Sequence, residues 1–284
     1  MKSIYWFRND LRVDDNLSLN EAIESSDEIL FVYIQDVKNL NDTEWKFTRM
    51  DSHRKLYISQ GLNALQERLG SYGHSLNYYL GDTVGGLNNL VKKFQIDRIY
   101  CESIDSHEEL DEEKRLRDHK IDLYSLYQSG LFLNDQIPFH LNDLPDVFTK
   151  FRKDIELRNI NPIKPSLVNE KINAIISIVD EESITFNLQQ KDYSKSSFPI
   201  SENRFFGGED KGFKYLEYYF SSNKPATYKK TRNELMGTDF STKFSPWLAT
   251  GYISARQVYD FLLSYESNVI KNESTYWIFF ELLW

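Results

Sequence analysis

The first 130 residues alternate between short apolar runs and amphipathic runs, and this alternation restricts the chain to few folds. Residues 3–7 (S-I-Y-W-F) and 28–34 (E-I-L-F-V-Y-I) are rich in β-branched and aromatic side chains, as strands covered on both faces tend to be. Residues 76–80 and 98–101 repeat the signal, and Leu123–Leu126 is a weaker fifth instance. Between them lie helical patterns at Leu17–Ser25, at 54–69 with apolar residues at 56, 58, 62, 65 and 69, and at Thr83–Phe94. Gly70, Gly73 and Gly81 punctuate the ends. Strands and helices at this spacing predict a doubly wound α/β domain with a parallel sheet over residues 1–130.

From residue 131 to 200 the pattern loosens. Pro138, Pro145, Pro162, Pro165 and Pro199 fall here, which predicts a long interdomain connector with one helix at 148–158. Residues 201–284 read as helical: an aromatic-rich segment at 212–220, a helix capped by Ser254 and running to about residue 263, and a final apolar stretch at 275–284. That last stretch, T-Y-W-I-F-F-E-L-L-W, carries one charge and no capping residue at its end. A helix so apolar is normally buried inside a larger body, so the helical domain is expected to be incomplete as given. At 284 residues the chain has room for two ordinary domains with ample core.

Several function classes are disfavoured by composition. The single cysteine, Cys101, leaves no internal disulfide framework and no cysteine-based zinc site, and no metal site is predicted. The N-terminus meets Arg8 and Asp10 before any apolar region develops, and no apolar run approaches the length of a membrane span. A soluble, cytoplasmic protein is expected. A net charge of −9 argues against indiscriminate nucleic-acid binding, yet residues 211–256 carry eight Lys/Arg against three acids. A basic face of this kind suits a polyanionic ligand, and it equally suits a solvated helix surface.

Two motifs stand out chemically. The turn R-N-D-L-R-V-D-D-N after the first strand lacks the G-x-G-x-x-G of dinucleotide-binding folds. It places Arg8, Asp10, Arg12 and Asp14 at the carboxyl end of a strand, where ligands of open α/β sheets bind, or where a structural salt-bridge cluster can form. The second is F-S-T-K-F-S-P-W. Ser241, Thr242, Lys243 and Ser245 precede Pro246, which reads as the first residue of a helix with Ser245 at its N-cap. Hydroxyls, a lysine and open N–H groups there offer an anion site suited to phosphate, with an ordinary capped helix as the alternative.

These motifs, taken in order, resemble the photolyase/cryptochrome family. W-F-R-N-D-L-R-V-D-D-N opens the resemblance; R-F-F-G-G-E (204–209), Y-K-K-T-R-N (228–233), S-T-K-F-S-P-W-L-A-T-G-Y-I-S-A-R (241–256) and F-E-L-L-W (280–284) follow. The wording is closest to the DASH-type cryptochromes. The resemblance implies a Rossmann-like N-terminal α/β domain followed by the first part of an all-α FAD-binding domain. It implies that Tyr228, Ser241, Thr242, Lys243, Phe244 and Ser245 hold FAD, with its pyrophosphate at the helix start. Arg232 would contact a DNA phosphate. Glu281, in the flavin pocket, would also hydrogen-bond a flipped lesion, and Trp284 would stack on it; base flippers need both kinds of contact.

The implied chemistry is light-driven repair of cyclobutane pyrimidine dimers, in single-stranded DNA above all, by a monomeric flavoprotein. The protein positions the flavin, which carries the chemistry, so no catalytic side chain is assigned. A 5,10-methenyltetrahydrofolate antenna is implied near Glu108, although Ile104 and Asp105 depart from the DASH pattern just before it. In relatives the F-E-L-L-W motif is followed by the remainder of the flavin pocket, so these 284 residues are expected to hold flavin weakly and to be inactive in repair. A non-catalytic blue-light photoreceptor and a stand-alone α/β nucleotide- or folate-binding module remain as alternative readings.

Overall fold

The apolar runs form a parallel sheet of β1 (Lys2–Phe7), β2 (Glu28–Asp36), β3 (Leu76–Gly81), β4 (Arg98–Glu102) and β5 (Leu123–Leu126), in the spatial order β3-β2-β1-β4-β5. The computed structural model describes residues 1–184, 202–234 and 239–283. Side chains alternate along β1: Tyr5 and Phe7 enter one core, Ile4 and Trp6 the other. Helices α1 (Leu17–Ser25) and α2 (Ser52–Gly70) cover the first face through Leu19, Ile23, Ile58, Leu62 and Leu65. The opposite face is covered by α3 (Thr83–Phe94) and α4 (His107–Asp118) through Val84, Leu87, Leu90 and Leu116. The sheet is therefore doubly wound, as predicted. Local chemistry sets the helix starts: Asn16 accepts from the Leu19 N–H at 3.1 Å, and Asp82 from the Gly85 N–H at 2.6 Å.

Helix α4 does not appear in the sequence pattern, and the reason is visible in its packing. Its buried residues are Glu112, Glu113 and Leu116, so the face turned inward is mostly charged and carries no hydrophobic period.

The connector is stapled to the α/β domain. Its helix, α5 (Phe148–Leu157), falls where expected, ending one residue early. Beyond it Asp15 and Ser166 are paired, with the Asp15 N–H donating to the Ser166 carbonyl at 2.6 Å and the Ser166 N–H to the Asp15 side chain at Oδ1 at 3.1 Å. A two-residue strand, β6 (Ile176–Ser177), pairs with the start of β2 beside the position β3 takes further along.

The helical region comprises α6 (Glu209–Phe220), α7 (Lys224–Thr231), α8 (Ser245–Ala249), α9 (Ala255–Asn268) and α10 (Glu273–Leu282). Ser254 caps α9 through a reciprocal pair with Gln257, and the helix runs five residues past the expected end because Leu262 and Tyr265 continue its buried face. The core of the first sheet face continues into this region without interruption, through Tyr215, Leu216, Trp247, Tyr252 and Ile253. Tyr252 lies against α2, where a Cβ on Gly61 would meet its hydroxyl oxygen at 2.0 Å, and it donates to the Tyr57 carbonyl at 2.9 Å.

Candidate functional site

In a sheet of this order the chain reverses direction of winding beside β1, and ligands of open α/β sheets enter at the carboxyl ends of β1 and β4. Here that position is filled by the protein's own charges. Arg8 donates to Glu113 at 2.8 Å and to the Glu102 carbonyl at 3.0 Å. Asp10 accepts from the Tyr5 hydroxyl at 2.5 Å and from Asn16 at 3.2 Å. Arg12 reaches across to the Gly251 carbonyl at 3.0 Å, and Arg256 donates to Asp15 Oδ2 at 3.0 Å. All are buried. Of the two readings of this turn, the structure supports the salt-bridge cluster.

That cluster is also the seam between the α/β and helical regions. Glu209, at the head of α6, accepts from the backbone N–H groups of Val13 and Asp14 at 3.0 and 2.9 Å. Desolvation pushes its carboxyl up to about 7 against the lowering effect of those two donors. Burial, with Asp10 close by, likewise pushes Glu102 up. The two family-like motifs, R-N-D-L-R-V-D-D-N and T-G-Y-I-S-A-R, thus bind one another.

A second constellation forms where α7 packs on α10. Asn272 caps α10 and donates to the Ala226 carbonyl at 3.0 Å, and Lys229 pairs with Glu273 at 3.1 Å. This brings three expected site residues together. Tyr228 is buried, which raises its phenol pKa, with the Glu281 carboxylate adding to the effect. Arg232 is ion-paired with Glu281 through Oε1. Trp277, which the sequence reading did not single out, donates its indole N–H to the same oxygen at 3.0 Å. The signal for it was present: it stands four residues before Glu281 on one helix, the spacing at which side chains meet.

The hydroxyl-rich loop differs from expectation in one respect. Ser245 is the first residue of α8 and Pro246 the second; the N-cap position belongs to Phe244. Phe244 is pulled in by Tyr215, Tyr219 and Phe220, whose rings lie 5.0–6.1 Å from its own, and its carbonyl already accepts from the Leu248 N–H. Lys243, just before it, takes a left-handed conformation with φ 57°. With α8 only five residues long, the helix dipole at this loop is small. The Ser241, Thr242, Lys243 and Ser245 side chains make no hydrogen bond or ion pair with any described residue.

Glu108 stands apart, within the α/β domain. It pairs with Arg49 at 2.6 Å and faces Lys38 at 3.7 Å, and Arg49 lowers its carboxyl pKa. Trp284 lies outside the described residues. Among the described residues no helix is long and apolar enough to cross a membrane, and no group of three His, Cys, Asp or Glu is placed to hold a metal ion.

A model of the family described as DNA photolyase matches residues 3–167, the α/β domain and the start of the connector. The chain belongs to the DNA photolyase family. Within it, the chain is 33% identical to cryptochrome DASH of Synechocystis over 99% of its length, and 34% identical to the chloroplastic/mitochondrial cryptochrome DASH of Arabidopsis thaliana over 99%. It spans 58% and 50% of those two proteins. The crystal structure of the Synechocystis cryptochrome superposes with a TM-score of 0.84 at 32% identity, over 100% of this chain and 60% of that one. The photolyase-family likeness therefore extends through the helical region as well as the sheet.

Proposed function

We propose that these residues belong to a photolyase-like flavoprotein of the DASH type that binds FAD and acts by blue light on cyclobutane pyrimidine dimers in DNA, single-stranded DNA above all. The observation that carries the reading is the donor set of Ser241, Thr242, Lys243 and Ser245, whose side chains make no hydrogen bond or ion pair among the described residues. Hydroxyls and an ammonium group clustered in one loop suit a pyrophosphate, and a non-glycine residue held at positive φ is a strain that functional loops tend to carry. Phe244 anchors that loop in the core, and Tyr228 is buried on α7. When bound, the reduced flavin supplies an electron on illumination. The chain's own groups bind and orient: Arg232 and Glu281 form the polar edge presented to nucleic acid, and Lys230 adds positive charge on α7.

For a folate antenna the fit at Glu108 is poor. Its carboxylate is taken by Arg49 and Lys38, and the cavity beside it, lined by Arg8, Lys38, Thr83, Ile104 and Glu112, holds only about 120 Å³. No antenna step is assigned to it.

The reading is tested by fluorescence anisotropy on a single-stranded oligonucleotide with one cyclobutane thymine dimer and on its undamaged counterpart. Tighter binding of the damaged strand is expected, with Glu281→Gln reducing the preference by about tenfold, the worth of one hydrogen bond to a charged group. Equal binding of both strands by the unsubstituted chain contradicts it.

A further inference from the structure

We propose that Trp277 is a positioning residue for Glu281: its indole N–H and the Arg232 guanidinium both take carboxylate oxygen Oε1, leaving Oε2 as the acceptor offered to a bound base. The proposal rests on the reading of Glu281 as the carboxylate that faces the dimer. The geometry is independent of it. Trp277 and Glu281 stand one turn apart on α10, and the indole N–H reaches Oε1 at 3.0 Å. Arg232 comes to the same oxygen from α7, and no hydrogen bond among the described residues uses Oε2.

The indole is itself packed between a ring and two cations. Phe280 stacks on one side with ring centres 4.6 Å apart and planes 22° from parallel, and Phe148 braces Phe280 edge-on at 5.2 Å. Lys229 and Arg232 lie over the ring at 5.0 and 5.3 Å from its centre, held by its π face. An arginine–carboxylate pair that is 27% and 34% exposed holds a side chain loosely, because water competes for both partners. A clamped indole does not have that freedom: it has one donor, no acceptor and one direction. Trp277 thereby converts a partly exposed ion pair into a carboxylate with one oxygen engaged and the other aimed.

Two measurements on the 284-residue chain test this. In ¹⁵N–¹H spectra the indole signal lost in Trp277→Phe identifies Trp277, and Glu281→Gln is expected to shift that signal while leaving other indole signals in place. An unmoved signal overturns the clamp whatever the DNA does. In the dimer-binding assay Trp277→Phe, which keeps the ring stack but removes the donor, is expected to reduce the preference for damaged DNA about tenfold, and Trp277→His to restore part of it. In the double variant with Glu281→Gln the losses should not add, as for groups acting through one contact. Full preference in Trp277→Phe overturns the positioning role. A shifted indole signal with no dimer preference in the unsubstituted chain overturns the reading of Glu281 and, with it, the purpose assigned to the clamp.

Discussion

Gly251→Ala is expected to destabilise the protein by about 3–5 kcal/mol, the range of severe core substitutions. Two effects act at this position. Gly251 has φ 67°, a left-handed backbone that costs alanine of order 1 kcal/mol. More seriously, a Cβ would stand 1.8 Å from the Asn9 carbonyl oxygen and 2.5 Å from the Asp10 Cα. Both obstacles are backbone, on a turn whose Leu11 N–H donates to the Thr250 carbonyl and whose Arg12 donates to Gly251 itself. Neither strand of the seam can retreat without breaking those contacts. The measurement is urea unfolding followed by far-ultraviolet circular dichroism. A fall in midpoint with a second, earlier transition is expected as the helical region separates from the sheet. A shift below about 1 kcal/mol would show that the seam is looser than the structure has it.

The second large effect is electrostatic. Arg256 and Asp15 are fully buried, with side-chain exposures of 0% and 0%, and Arg256 also donates to the Gln128 and Gly130 carbonyls at 3.0 and 3.1 Å. Asp15→Asn leaves the guanidinium without its counter-charge in a site that water cannot reach, which costs about 3–5 kcal/mol. Asparagine tolerates the φ of 51° found at Asp15, so backbone strain does not confuse the result. Adding Arg256→Met removes the stranded charge and should recover a large part of the loss. A double variant no more stable than Asp15→Asn alone would mean that the carbonyl contacts of Arg256, and not its charge, carry the seam. Thermal unfolding of the unsubstituted chain and the two variants decides between these outcomes.

The α/β half was legible because its physics is local. Strands covered on both faces must be apolar throughout, and the helices between them advertise their caps and periods, so α1, α3 and β5 have the boundaries read from the sequence. Helix α4 was not legible because its inward face is Glu112 and Glu113, whose partner Arg8 is about a hundred residues away. The cap of α8 was misplaced by one residue for a similar reason: long-range aromatic packing draws Phe244 inward and starts the helical turn early. At the candidate site, motif order indicated Tyr228, Arg232 and Glu281, and the α7–α10 packing places them together. No short-range rule could show that Arg232 would spend its charge on Glu281, or that Trp277 would share that oxygen.

Whether Ser241, Thr242, Lys243 and Ser245 form a pyrophosphate cradle is decided by titrating the chain against FAD and against riboflavin, which has the same ring system and no phosphate. Flavin fluorescence reports binding of either. FAD is expected to bind, weakly enough to be lost on desalting, riboflavin is not, and Lys243→Ala with Thr242→Ala is expected to abolish the difference. Riboflavin binding as well as FAD, or FAD binding untouched by that double substitution, would contradict the cradle.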